Sequence, residues 1–549
     1  MINEDFEIRC PTKDPDNIYP QIPGINYNDF KLTPERMPEG QRLRALNSLY
    51  NYETRQKNNF LGYQGNQNFD YMDLAKFLNI SMNNIGDPFV SGNYTMNTKF
   101  VERAVLDYFA SFWNAQWPHE NTPNEENDDK WANSYWGYVS TGGTEANIFG
   151  LCNARDYLEG RAVLYDSGND ENVKYASTDD MPYSIEQYPI CCTAEANEKN
   201  PNTYIPIAFY SQDTHYSIAK ATRMLKVATF HDVGSGKHVC PLTYPNDYPK
   251  TFSQSSLDGN GWPTEVPSND DGSIYIPALS KLVRFFANRG HPILVCFNYG
   301  TTFKGAYDDI NLAVKELIPI LRDAGLYKRK VIYDNKTGKF DIRTGFWFHV
   351  DGALGSAYIP FLSPQQSKGI PNFDFRINEI HSIAMSGHKW IGMPWPCGIY
   401  MSKVKYQINP NDSPNYIGSP DSTLFGSRNA FSALLLWDYF SKNSLEDLRK
   451  KADYSMEMAQ YAFSQLRKLE RNLEQDLWVD YSPRTFTVRF KKANPNIVFK
   501  YSLSEEILLV NGEKRVYNHI YLMGHVTRDL IDQLVKDLYN EHASILDDE

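Results

Sequence analysis

Cysteine is scarce: the 549 residues hold seven thiols, Cys10, Cys152, Cys191, Cys192, Cys240, Cys296 and Cys397, an odd number without metal-ligand spacing. That pattern excludes a disulfide-built scaffold and offers no structural zinc site. Basic residues are short as well. Lys and Arg number 55 against 67 Asp and Glu, giving a formal charge of -12 and a pI near 5.5, and no Lys/Arg cluster offsets the deficit. A footprint for phosphate backbones is missing, so nucleic acid is not an expected partner. No apolar run approaches the length that spans a bilayer, and Met1-Ile2-Asn3-Glu4-Asp5 carries acids where a secretory signal has a basic start. The expected setting is the reducing cytoplasm, with no membrane attachment. No internal repeat or low-complexity tract stands out.

What is present is a globular composition rich in rings: 41% hydrophobic, 14% aromatic and 22% charged, which argues against general disorder. The length exceeds what one core organises. Three regions are expected: an N-terminal arm and helical segment over 1–100, a large domain over 101–430, and a small C-terminal domain over 431–549. Residues 1–40 are Pro- and Asp-rich and read as an extended arm. Helical signals run through 42–77, a turn cluster follows at 83–89, and a helix starts near Thr98 with Val105, Phe109 and Phe112 on one face. Residues 160–200 read as loop and 237–271 as a surface insertion.

Between them, short apolar strands alternate with helices. Strands are expected at 205–210, 227–230, 293–297, 346–350 and 380–385, and helices at 274–287 and 310–324. The fold class is therefore α/β, with a mostly parallel central sheet flanked by helices, plus a smaller C-terminal α+β domain. In that C-terminal part, 485–490 reads as a strand, followed by helices around Glu505 and Arg528.

Polar residues gather where these strands end. Tyr138-Val139-Ser140-Thr141-Gly142-Gly143-Thr144-Glu145-Ala146-Asn147 passes from strand to helix, and there Gly143 and Thr144 form a candidate anion cradle at a helix N-terminus. It has neither a Walker loop nor a three-glycine dinucleotide fingerprint. The plain alternative is that Thr144 simply caps the helix. His215, in Asp213-Thr214-His215-Tyr216-Ser217, lies at another strand-to-helix junction, either as a ligand contact or as a local cap. Asp351 ends the aromatic strand 346–350, where a carboxylate needs a partner. Lys389, in Ser386-Gly387-His388-Lys389-Trp390, follows the strand 380–385. A lysine so placed, if desolvated, has a lowered pKa and can condense with an aldehyde. Alone it reads more readily as a solvated surface lysine, as most lysines are.

Taken together, Gly143-Thr144-Glu145-Ala146-Asn147, Asp213-Thr214-His215-Tyr216-Ser217, His349-Val350-Asp351-Gly352-Ala353 and Ser386-Gly387-His388-Lys389-Trp390 resemble the group II pyridoxal 5'-phosphate (PLP)-dependent amino-acid decarboxylases of fold type I. Histidine decarboxylases share much of the pattern, including an element like Gly426-Ser427-Arg428-Asn429. Over nearly the full length the chain is similar to bacterial methionine and valine decarboxylases, judged on Gly86-Asp87-Pro88-Phe89 and on Met385 to Trp390.

The resemblance implies that Lys389 carries the cofactor covalently, His215 stacks on its ring and Asp351 pairs with its pyridine nitrogen. It further implies that Gly143, Thr144, Ser386 and His388 hold the phosphate, that Thr301 meets the phenolic oxygen and that Ala353 meets the ring face. The expected reaction is α-decarboxylation of a free L-amino acid to a primary amine. The expected substrate is neutral and aliphatic, methionine first and then valine or leucine, with histidine as the runner-up. An aminotransferase or another PLP-dependent lyase could use the same constellation, and a catalytically dead scaffold would lack Lys389 or Asp351. The resemblance also implies a homodimer and a tyrosine proton donor on a loop after the lysine. The stretch 407–425 has loop composition; Tyr416 is its central candidate, with Tyr406 competing.

Overall fold

The computed structural model describes residues 22–117, 132–160, 203–332, 340–407, 414–482, 484–510 and 513–546. Most of the expected loop at 160–200 and the first half of the arm lie outside the described residues. The chain forms two compact units, 69–452 and 1–68 together with 453–549.

In the larger unit the strands run in chain order β1 (Tyr135–Ser140), β2 (Ile207–Phe209), β3 (Ala228–Thr229), β4 (Ile293–Asn298), a separate hairpin of β5 (Arg329–Ile332) and β6 (Phe340–Arg343), then β7 (Phe346–Asp351), β8 (Ile380–Ser386) and β9 (Gly398–Lys403). Seven of them form one sheet in the order β1-β9-β8-β7-β4-β2-β3. Pairings from β8 through β7, β4 and β2 to β3 are parallel, and β9 alone runs against its two neighbours. All positions of β4, β7 and β8 are buried, the mark of a sheet covered on both faces.

Successive strand residues point to opposite faces. Ala208, Leu294 and Trp347 meet Leu151, Ala154 and Leu158 of the helix Gly143–Leu158 and Ile218 and Ala221 of the helix Tyr216–Leu225. On the other face Phe209 meets Phe286 of the helix Ile276–Ala287, with ring centroids 6.0 Å apart. The parallel strands therefore end together, and Ser140, Asn298, Asp351 and Ser386 are the last residues of β1, β4, β7 and β8.

Several expectations change. The expected strand at 227–230 shrinks to Ala228–Thr229, because Thr229 and Asp232 form a reciprocal capping box that starts a short helix at Phe230. The expected surface insertion at 237–271 is exposed or half-exposed over most of its length but is anchored inward by a few side chains. Trp262 is fully buried, with Leu242, Tyr248, Phe252 and Val266 also buried, and its ring lies so close to Gly234 that a Cβ there would sit 2.4 Å from it. Loop composition described the backbone but not the anchoring ring.

The other unit holds an antiparallel sheet of β10 (Asp480–Tyr481), β11 (Thr487–Lys491), β12 (Ser504–Val510) and β13 (Glu513–Tyr521), in the order β10-β11-β13-β12. The helix expected around Glu505 is thus strand β12, paired with β13 along seven residues. The helix at Arg528 is present as Arg528–Leu546. In the N-terminal segment of this unit the helix Glu39–Asn58 stops well before residue 77. Beyond it Gly62 passes so near the backbone of Ser502 that a Cβ would sit 1.9 Å from its carbonyl oxygen, a contact only glycine permits. Among the described residues no helix is long and apolar enough to cross a membrane.

One buried ion pair ties the larger unit's outer segments to β1. Glu102, fully buried in the helix Lys99–Phe112, pairs with Arg428, accepts the Val139 N–H at 2.8 Å and takes the Asn84 side-chain amide at 2.8 Å, while Arg428 also donates to the Gly86 carbonyl at 3.1 Å. The Gly-Ser-Arg-Asn element is therefore structural here. Replacing Arg428 with Met leaves a buried carboxylate short of its cation and should lower stability by about 3 kcal/mol or more. Denaturant unfolding reads this directly; an unchanged midpoint would contradict the pairing.

Candidate functional site at the carboxyl edge of the sheet

The strand ends converge on one another. The helix Gly143–Leu158 begins directly after β1, with Gly142 as its N-cap at a φ of 132°, a backbone conformation open to glycine. Thr144 is thus inside the first turn rather than the capping residue. The N-cap residue, a glycine, has no side chain with which to cap this helix end. Its Gly143 N–H donates to Ser386 Oγ at 3.0 Å, and a Cβ on Gly143 would lie 2.6 Å from that oxygen and 3.0 Å from Ala353 Cβ. His388 closes the same corner: a Cβ on Gly142 would lie 3.3 Å from its ring, and its Nδ1 is 3.2 Å from the Cys397 carbonyl. The positive end of a helix dipole, the amides of its first turn and a serine hydroxyl make a donor set suited to phosphate.

Lys389 stands in the turn after β8 and keeps only partial access to solvent. Burial pushes its ammonium below the ordinary lysine range, and Asp351 pulls it back up. The same three-way coupling reaches His215, whose pKa is lowered by burial, raised by Asp351 and lowered by Lys389. Lysine, acid and histidine from three separate strand ends therefore lie within electrostatic reach of one another. His388 is likewise lowered, by burial and then by Lys389.

Asp351 is held on both oxygens. Ala353 N–H donates to Oδ1 at 3.1 Å, and the Asn147 side-chain amide donates to Oδ2 at 2.8 Å. Asn147 also donates to Ser217 Oγ at 2.9 Å and accepts from His349 Nε2 at 2.9 Å. His349 Nδ1 is 2.8 Å from Ser382 Oγ, which takes the Trp347 Nε1–H at 3.0 Å. His215 caps the helix Tyr216–Leu225: its Nδ1 accepts the Ser217 N–H at 3.3 Å and lies 2.8 Å from Ser217 Oγ. It is thus both the local cap and a member of the cluster.

Thr301 is buried in the turn after β4, where its Oγ1 accepts the Ala306 N–H at 2.9 Å. That turn abuts the 353–355 segment: a Cβ on Gly300 would lie 3.2 Å from the Gly355 nitrogen.

Tyr416 is not brought into the cluster within its own chain; it is 77% exposed. Its loop is anchored beside it, for Asn93 N–H donates to the Ile417 carbonyl at 2.7 Å and Asp87 N–H to the Pro420 carbonyl at 2.8 Å. Residues 408–413 of the expected loop lie outside the described residues. Tyr406 is a core residue, packed on the rings of Tyr157, Trp347 and His381.

Sequence reasoning missed Asn147, Ser217, His349 and Ser382 as site residues, although all but Ser382 lie in the four motifs. The available signal was periodicity. His349 is two residues before Asp351 in one strand, and Asn147 is one helical turn past Gly143, so each shares a face with a residue already singled out. Among the described residues no cluster of His, Cys, Asp or Glu could hold a metal ion.

The pyridoxal-dependent decarboxylase conserved domain matches residues 263–491. The crystal structure of L-methionine decarboxylase from Streptomyces sp. 590, in complex with L-methionine methyl ester, is 41% identical and superposes with a TM-score of 0.80, covering 94% of this chain and 98% of that one. The histidine decarboxylase of Mesorhizobium japonicum is 27% identical across 92% of this chain and all of that protein. Serine decarboxylase 2 of Oryza sativa subsp. japonica is 28% identical across 73% of this chain and 60% of that protein.

Proposed function

Because this chain belongs to the pyridoxal-dependent decarboxylase family and is a PLP-dependent carboxy-lyase of fold type I, we propose that its substrate is a neutral aliphatic L-amino acid, methionine first and then valine or leucine. The observation that carries the reading of the site is the half-buried Lys389 in the turn after β8, within electrostatic reach of Asp351, which ends β7, and of His215. The substrate preference is supported by the 41% identity to an L-methionine decarboxylase. Histidine is the second reading, favoured by the full-length likeness to histidine decarboxylases at 27%.

The residues present fit the cofactor: a helix N-terminus with a serine hydroxyl, a desolvated amine, and a strand-end carboxylate held by two N–H donors. Lys389 would carry it, and Gly143, Thr144, Ser386 and His388 would hold its phosphate. His215 would lie on the ring, Asp351 would accept from the ring nitrogen, Thr301 would reach the phenolic oxygen and Ala353 the ring face. PLP, when bound, takes up the electron pair left on the α-carbon as CO2 departs. The chain's part is to keep the Lys389 amine poorly solvated, so that it is available as a nucleophile and proton carrier at neutral pH. A carboxylate at Asp351 placed beside the ring nitrogen would favour a protonated ring that draws electrons more strongly.

A homodimer completes this reading. Leu43, Leu46, Leu49 and Tyr50 form an exposed apolar stripe on the helix Glu39–Asn58, and Tyr416 is exposed on its own chain, surfaces that a second copy would cover. A cytoplasmic setting fits Cys240, Cys296 and Cys397, which are free thiols.

The purified holoenzyme, given single L-amino acids, should release CO2 and the matching amine fastest from methionine. Fastest release from histidine would move the assignment to the second reading, and keto-acid formation without CO2 would make it an aminotransferase. Borohydride reduction should fix the cofactor on Lys389, and recovery of the label on another lysine would reject that role. Tyr416→Phe should keep cofactor and substrate binding yet slow amine formation by about tenfold or more, since the hydroxyl proton is removed with little change in shape. Near-normal turnover would take Tyr416 out of the mechanism, and sedimentation of an active monomer would remove the dimer.

A further inference from the structure

We propose that Asn147 is the positioning residue of this site, a single buried amide that orients the carboxylate of Asp351 and, through the Ser217 hydroxyl, helps to hold the ring of His215. Asn147 is 1% exposed and uses both amide hydrogens and its amide oxygen in hydrogen bonds. The two amide hydrogens go to Asp351 Oδ2 at 2.8 Å and Ser217 Oγ at 2.9 Å, and the amide oxygen faces His349 Nε2 at 2.9 Å. Reversing the amide would set its oxygen against the Asp351 carboxylate, which has no proton to give when charged. The orientation is fixed by that exclusion.

Each neighbour then follows. The Asn147 oxygen can only accept, so His349 Nε2 carries the proton. Burial lowers the His349 pKa to about 4, so the ring is neutral near pH 7 and its Nδ1 is bare. That nitrogen takes the Ser382 hydroxyl proton at 2.8 Å, while Ser382 accepts from Trp347 at 3.0 Å. Room for the imidazole exists because position 150 is glycine; a Cβ there would lie 2.7 Å from its Cε1.

In the other direction, the Ser217 backbone N–H donates to His215 Nδ1, so that nitrogen is an acceptor and the neutral ring carries its proton on Nε2. Ser217 Oγ accepts from Asn147, leaving its own proton for the same Nδ1 at 2.8 Å. Trp347, Ser382, His349, Asn147, Ser217 and His215 thus form one chain in which each hydrogen from the Trp347 indole to the Ser217 hydroxyl has an acceptor. Asp351 hangs from its middle. A buried run of bonds satisfied in this way holds its members in one arrangement.

This rests on the reading of Asp351 as the partner of the cofactor's ring nitrogen, so the test separates the two. The readout is the nitrogen-15 resonance of the ring nitrogen in holoenzyme loaded with labelled PLP, which reports ring protonation independently of turnover. Asn147→Leu should shift that resonance toward the neutral-pyridine position and lower kcat about tenfold or more, as for loss of a hydrogen bond to a charged group, with KM changed less. His349→Leu, which leaves the Asn147 oxygen without its donor and so loosens the amide against Asp351, should move the resonance the same way. His349→Gln, whose amide can again donate to Asn147, should bring it back toward the parent value.

If Asp351→Asn moves the resonance while Asn147→Leu and His349→Leu, folded and holding PLP, leave it in place, Asn147 is a packing residue and the proposal falls. If Asp351→Asn itself leaves the resonance unmoved, the role of Asp351 falls and takes this proposal with it. Should Asn147→Leu not fold, the comparison of His349→Leu with His349→Gln decides alone: equal resonances in the two would overturn the proposal.

Discussion

A carboxylate at the end of a buried strand is the constraint on which the site depends. Asp351 closes β7, a strand buried at every position, and a charge in that setting is costly unless hydrogen-bonded. Two N–H donors meet the need from opposite sides, one from the backbone at Ala353 and one from the helix that follows β1. The sheet order makes this possible. β1 and β7 are separated by β9 and β8, yet the helix Gly143–Leu158 lies across the sheet and carries Asn147 to the end of β7.

The same helix serves a second purpose at its first turn. Gly142 and Gly143 let its N-terminus approach Ser386 and Ala353 closely, and the amides of its first turn face the corner that His388 and Lys389 occupy. One helix thus links the anion cradle, one turn earlier, to the acid's donor, one turn later. Three parallel strand ends supply the remaining groups, as expected for a sheet whose ligands bind beyond the carboxyl ends of its strands. Desolvation of Lys389 and His215 is a consequence of this convergence, and Asp351 partly offsets it for both.

The central fold was legible because its signals are local. Apolar runs such as 293–297 and 346–350 are short, bounded by turn residues and rich in aromatic or β-branched side chains, and each is a strand. Polar residues just past them, His215, Asp351 and Lys389, stood out against that background. Misreadings arose where tertiary contacts decide. Glu505, in a run of good helix formers, is in a strand because β13 offers a seven-residue ladder. Trp262 turns a glycine- and proline-rich stretch inward because a pocket beside Gly234 receives its ring. Asn147 and His349 escaped notice because a polar residue inside a helix or strand reveals its partner only in three dimensions.

The central claim is that the Asp351 carboxylate serves chemistry rather than folding, since its charge is held ready by groups that an amide could also satisfy in part. Turnover and thermal unfolding of Asp351→Asn holoenzyme, measured side by side, test it most directly. The account predicts retained PLP, an unfolding midpoint close to the parent and a kcat lowered by about a hundredfold or more, as for the loss of a charged partner in the reacting state. Parent-like kcat with bound PLP would contradict it.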